Sequence, residues 1–112
     1  MAPQAIAQAG SSLVEGLAQF FPDAMAVRIP VRVVGWKQGV ALTENTVIEF
    51  GTPHEVLFAS SLPLEFEDKV KVENADGSLS ADASVVAVQY REGKTAIAAR
   101  FVREISNWII KR

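Results

Sequence analysis

Hydrophobic and polar positions follow two rhythms along the chain, and the change falls near Pro22. Upstream of it, Ile6, Ala9, Leu13, Leu17, Phe20 and Phe21 recur at three- or four-residue steps, which lines them along one side of a helix. Ser12 followed by Glu15 has the spacing of a capping box, so a helix within 3–21 begins at Ser12 or, with Gly10 as a break, restarts there. Pro22 stops it, because the proline ring disfavours helical geometry in Phe21. Such a stripe suits either a partner-binding or dimerising helix, or a helix packed on its own domain.

From Val27 onward the rhythm is that of strands. Val27–Val34 opens with apolar and polar residues in alternation, as a half-buried strand does. Pro30 cannot donate to a ladder, which predicts an edge position or a bulge. Val40–Phe50, Glu55–Ser60, Phe66–Glu73, Ala81–Arg91 and Lys94–Val102 follow. A turn carrying Trp36 and Lys37 lies between Gly35 and Gly39, and further breaks fall at Gly51-Thr52-Pro53, Pro63, Asn74-Ala75-Asp76-Gly77 and Glu92-Gly93. The last is a short hairpin signal, because glycine supplies the positive φ that tight turns need. Six strands joined by short turns predict a small antiparallel barrel or sandwich. Ile105, Trp108 and Ile109 at i, i+3 and i+4 predict a short C-terminal helix within Arg103–Arg112 that closes one end. Lys111 and Arg112 stand where a helix C-terminus favours cations.

Composition narrows the function classes. A length of 112 residues suits one domain, here a helical segment over 1–26 and a β-domain over 27–112. At 49% hydrophobic residues the chain is not wholly disordered. Without cysteine there is no disulfide framework, thiolate chemistry, iron–sulfur cluster or Cys-type zinc site. All 11 Lys and Arg lie in 27–112, opposed there by 11 acidic residues, since Glu15 and Asp23 are the acidic residues outside it. A duplex nucleic-acid binder would carry a basic excess, so none is expected as a partner. The N-terminus has no positive n-region and no apolar run reaches the length of a membrane span, which predicts a soluble cytoplasmic protein.

Little catalytic chemistry is in view. The single histidine, His54, has Glu49 and Glu55 near it in sequence, but Glu55 follows directly at a strand start, where successive side chains diverge. No Gly-x-Ser-x-Gly, His-Glu-x-x-His or Gly-rich phosphate loop occurs, so His54 reads as a turn residue and neither an enzyme, a metal nor a cofactor is expected. Glu65, Glu67 and Asp68 beside Lys69 and Lys71 lack EF-hand spacing and read as a solvated strand face. Arg28 and Arg32 are better placed: four apart on a strand they project to one face, about 13 Å apart. Guanidinium groups grip phosphate through two parallel hydrogen bonds, so a curled segment would let both hold one anion.

These arginines and their surroundings resemble the PilZ family, small bacterial β-barrels whose typical members bind cyclic di-GMP. The resemblance covers 27–112. It runs from Arg28-Ile29-Pro30-Val31 through the Thr-rich Thr43–Val47 and the apolar Val56–Ser60 to a Leu-Pro-Leu step and Asp68–Val72. The hairpin of Ala83–Val88 with Ile97–Val102 and a closing helix containing Asn107-Trp108 complete it. The resemblance implies a six-stranded antiparallel PilZ-like β-barrel with an N-terminal helix and a short C-terminal helix.

Two family motifs carry the ligand: an Arg-x-x-x-Arg near the opening strand and an Asp/Asn-x-Ser-x-x-Gly turn after the second. Arg28 and Arg32 have the first spacing. In the family's usual register, however, Arg28 is the second arginine and Ala24 stands in place of the first. In the turn, Glu49, Gly51 and His54 stand for Asp, Ser and Gly. Hydrogen bonds to charged groups contribute about 1.5–3 kcal/mol each. Losing two or three removes about 3–9 kcal/mol, which turns a micromolar ligand, at about -8.2 kcal/mol, into a millimolar one. The resemblance therefore implies a signalling adaptor that acts through protein contacts, as family members with degraded motifs do in type IV pilus and motility control, with weak or no cyclic di-GMP binding. Phe20, Phe21 and Trp36 are its candidate contact residues. A cyclic di-GMP receptor using Arg28 and Arg32, and a structural barrel that forms homodimers or larger oligomers through its N-terminal helix, are the alternatives.

Overall fold

The computed structural model describes residues 13–105 and 107–111. Six antiparallel strands form a closed barrel: β1 (Met25–Lys37), β2 (Val40–Gly51), β3 (Glu55–Ser60), β4 (Lys69–Glu73), β5 (Ser80–Arg91) and β6 (Lys94–Phe101). Around the barrel the order is β1-β2-β3-β6-β5-β4, so the sandwich alternative does not apply. Alternation along the strands builds the interior: Val31 and Val33 of β1, Ile48 of β2, Val56 and Phe58 of β3, Val70 and Val72 of β4 and Ile97 and Ala99 of β6 are buried in one cluster. Register shifts at Ala26/Ile29, Ile48/Phe50 and Val85/Ala87 bend three strands where the sheet curls to close. Pro30 sits as predicted for an edge residue, because β4 pairs with β1 only over Arg32–Gly35 and the stretch before it is paired with β2 alone.

Both barrel ends are plugged. The connection from β3 to β4 crosses to the opposite wall, and Leu62 and Leu64 on it pack into the core. The predicted strand over Phe66–Glu73 begins only at Lys69, because Glu67 adopts a left-handed φ of 76° and Asp68 N–H donates to Glu65 O at 3.0 Å in a turn. At the other end lies the C-terminal segment. No helix forms there among the described residues, which corrects the expected closing helix. Trp108 and Ile110 are buried while Asn107 and Ile109 are exposed, a two-residue period that a helical Ile105/Trp108/Ile109 stripe cannot produce. The reason is Gly51, which leaves a notch that Trp108 and Ile110 enter together.

Upstream, among the described residues, one helix, α1, spans residues 13–18. The expected start at Ser12, the break at Gly10 and the positions Ile6 and Ala9 lie outside the described residues. Leu13, Val14, Leu17 and Ala18 of α1 are buried against Leu57, Ala96 and Ala98, the outward-facing residues of β3 and β6. The helix thus packs on its own barrel, and it shares a hydrophobic cluster with it. No helix among the described residues is long and apolar enough to cross a membrane.

Candidate functional site

Arg28 and Arg32 are both exposed on the outer face of β1, as their spacing predicts. They do not converge on one site. Arg32 is aligned with Glu73 of β4, and its Nε and Nη2 donate to Glu73 Oε1 at 3.2 and 2.6 Å. That contact holds the Glu73 carboxyl below its ordinary range. Arg28 instead lies near Glu49 of β2. Burial pushes the Glu49 carboxyl up, and the Arg28 charge draws it partly back. Arg32 is therefore paired with a carboxylate from a neighbouring strand, while the charge of Arg28 is felt by one on the other side. A groove of about 710 Å³ runs beside the Arg32–Glu73 pair and the 74–77 turn, and neither Arg28 nor His54 lines it.

The turn between β2 and β3 brings together residues of quite different use. His54 is exposed; its N–H donates to Thr52 Oγ1 at 3.0 Å and its carbonyl accepts from Phe101 N–H at 2.9 Å. Gly51, a candidate ligand residue, faces inward. A Cβ there would stand 2.6 Å from Trp108 Cζ2 and 2.8 Å from Ile110 Cδ1. Its lack of a side chain serves the packing of the C-terminal segment. Glu49 is half-buried beside Arg28.

Two residues that the sequence reading passed over organise this turn. Thr52 Oγ1 accepts from Glu55 N–H at 2.8 Å and donates to the Glu55 carboxylate. Arg100 reaches Glu55 Oε2 through both Nε and Nη2, at 2.7 Å each. Glu55 is buried, so this pairing is what allows a carboxylate there. Trp108 closes the arrangement: its Nε1 donates to Thr52 O at 2.7 Å and its ring meets Phe101 edge-on at 5.4 Å. The signal available in sequence was Thr52-x-x-Glu55 at a strand start, the spacing of a side chain that bonds a backbone N–H just ahead of it.

The candidate contact residues separate as well. Phe20 is exposed, Trp36 is half-exposed near the β1–β2 hairpin, and Phe21 packs against the α1 cluster. Of the acidic cluster, Asp68 accepts from Lys37 Nζ at 2.8 Å, with Glu65 at 3.7 Å. No group of His, Cys, Asp or Glu suited to a metal ion occurs among the described residues. No protein-family model matches the chain, and no curated protein matches it.

Proposed function

We propose that the chain is a PilZ-like signalling adaptor that works through protein contacts and binds cyclic di-GMP weakly or not at all. The observation that carries this reading is the separation of the two arginines: Arg32 is engaged by Glu73 at 2.6 Å, and Arg28 lies by Glu49. A dianionic ligand would have to compete with both carboxylates. The inward Gly51 adds support, since the space a side chain would occupy at the family's serine position is filled by Trp108 and Ile110. The closed six-stranded antiparallel barrel is compatible with the family architecture.

Calorimetric titration with cyclic di-GMP up to near-millimolar concentration tests the proposal. The expected result is no saturable heat below the millimolar range. Saturable binding in the low micromolar range, abolished by replacing Arg28 and Arg32 with Ala, would establish the receptor reading instead.

A further inference from the structure

The hairpin end of the barrel concentrates exposed apolar side chains. The β1–β2 and β5–β6 hairpins run beyond the short strand β4 toward the same end, because β1 and β5 are both antiparallel to β4. On them, or on the connection tied to them through Lys37, stand Trp36 (48% exposed), Val40 (60%), Phe66 (63%), Val88 (40%) and Tyr90 (71%). Beyond Val85, which bonds to Glu67 and Asp68, the backbone of β5 has no ladder partner except β6 among the described residues. An unpaired edge with apolar side chains is the kind of surface that another strand or chain covers.

We propose that this end is a self-association surface, and that its occupant is a second copy of this chain. Area is the first argument. With whole aromatic side chains at about 150–250 Å², the observed exposures leave roughly 300–500 Å² of apolar surface on Val40, Phe66, Val88 and Tyr90, Trp36 lying on the other face of its hairpin from Val40. A standard interface needs about 800 Å² per partner. About 65% of a homodimer interface is apolar, hence roughly 500 Å². These four side chains supply most of that amount. Charge is the second argument. The hairpin tip Arg91-Glu92-Gly93-Lys94 carries both signs within four exposed residues. Two-fold pairing sets the same patch against itself, so a tip of mixed sign can match its own copy, which a tip of one sign cannot. The surface is distinct from α1 and independent of how nucleotide is handled.

Sedimentation equilibrium of the full chain over a concentration series tests the inference. The expected mass rises from 12.1 kDa toward twice that value. Phe66→Ser with Tyr90→Lys should hold the chain at the monomer mass with an unchanged circular dichroism spectrum, and Phe20→Ser, on the α1 side, should leave association intact. A second pair, Val40→Lys with Val88→Ser, gives the same reading should the first fail to fold. A parent that stays monomeric up to millimolar concentration overturns the proposal. So does association that survives both pairs or is lost with Phe20→Ser.

Discussion

Gly51→Ala sets two costs against each other. The added Cβ would lie 2.6 Å from Trp108 Cζ2 and 2.8 Å from Ile110 Cδ1, about 1 Å inside the ordinary 3.5–4.0 Å carbon separation. Either the surroundings shift to admit the methyl, or the C-terminal segment is expelled. Overpacking of this kind typically costs about 1–3 kcal/mol. Expulsion would re-expose Trp108, which is 2% accessible. At about 200–250 Å² for its side chain and about 25 cal/mol per Å², that alone comes to about 5–6 kcal/mol. The Nε1–Thr52 hydrogen bond adds about 1 kcal/mol more. Local adjustment is the cheaper response, so the segment stays docked and stability falls by about 1–3 kcal/mol. At about 4–8 °C per kcal/mol, the midpoint drops by roughly 5–20 °C. The assay is thermal unfolding by circular dichroism, with Trp108 emission followed in a Trp36→Phe background. An unchanged midpoint would refute the notch. A red-shifted, solvent-exposed Trp108 at low temperature would refute the ordering of the two costs.

Two glutamates of β2 should respond to acid with opposite signs. The Glu44 carboxyl is pushed up by burial but pulled further down by the hydroxyls of Ser60 and Ser61, and its net pKa lies below 4.5. Its stabilisation is therefore present above pH 4.5 and lost as pH falls through the lowered value. Glu44→Gln should melt below the parent at neutral pH, and the gap should close in acid. Glu49 is raised above 4.5 by burial despite Arg28, so its ionised form disfavours folding above that raised value. Glu49→Gln should melt above the parent at neutral pH and merge with it below pH 4.5; gaps of equal sign in the two titrations would contradict the assignment. On β5, the buried Gln89 Oε1 has no hydrogen-bond partner, and a Cβ on Gly16 of α1 would sit 3.7 Å from it. Gly16→Ala should gain about 1 kcal/mol from helix propensity. Gly16→Ser, a poorer helix former, should match or exceed it, because its hydroxyl supplies the missing donor for about 0.5–1.5 kcal/mol; a midpoint below that of Gly16→Ala would count against that contact.

Strands were the legible part of the sequence. A two-residue period bounded by Gly51-Thr52-Pro53 and Glu92-Gly93 placed β2, β3, β5 and β6 to within a residue or two of their observed ends. The C-terminal segment was not legible for the same physical reason. Ile105, Trp108, Ile109 and Ile110 contain a helical and an extended pattern at once. Local spacing cannot choose between them. The choice came from a residue more than fifty positions away, since Gly51 accepts Trp108 and Ile110 together only when the segment is extended. Helix propensity in so short a stretch is worth little against burial of a tryptophan.

The same distinction separates what the candidate site showed in sequence from what it did not. Spacing told correctly that Arg28 and Arg32 share a face, because face follows from counting along one strand. Whether they can act on a common anion depends on the neighbouring strand, and hence on register. Glu73, 41 residues from Arg32, arrives opposite it through the β1–β4 pairing. Glu55 arrives opposite Arg100, 45 residues away, through the β3–β6 pairing. In both cases the sheet sets an arginine beside a carboxylate, and the solutions differ by depth. In the Glu55 pair the carboxylate is buried and bonded by Thr52, so removing Arg100 would strand a charge. The Arg32 pair is open to solvent on the outer face, where such contacts are weak and exchangeable. Counting along one strand thus sets the face that an arginine shares, while the register of the neighbouring strand sets which carboxylate it meets.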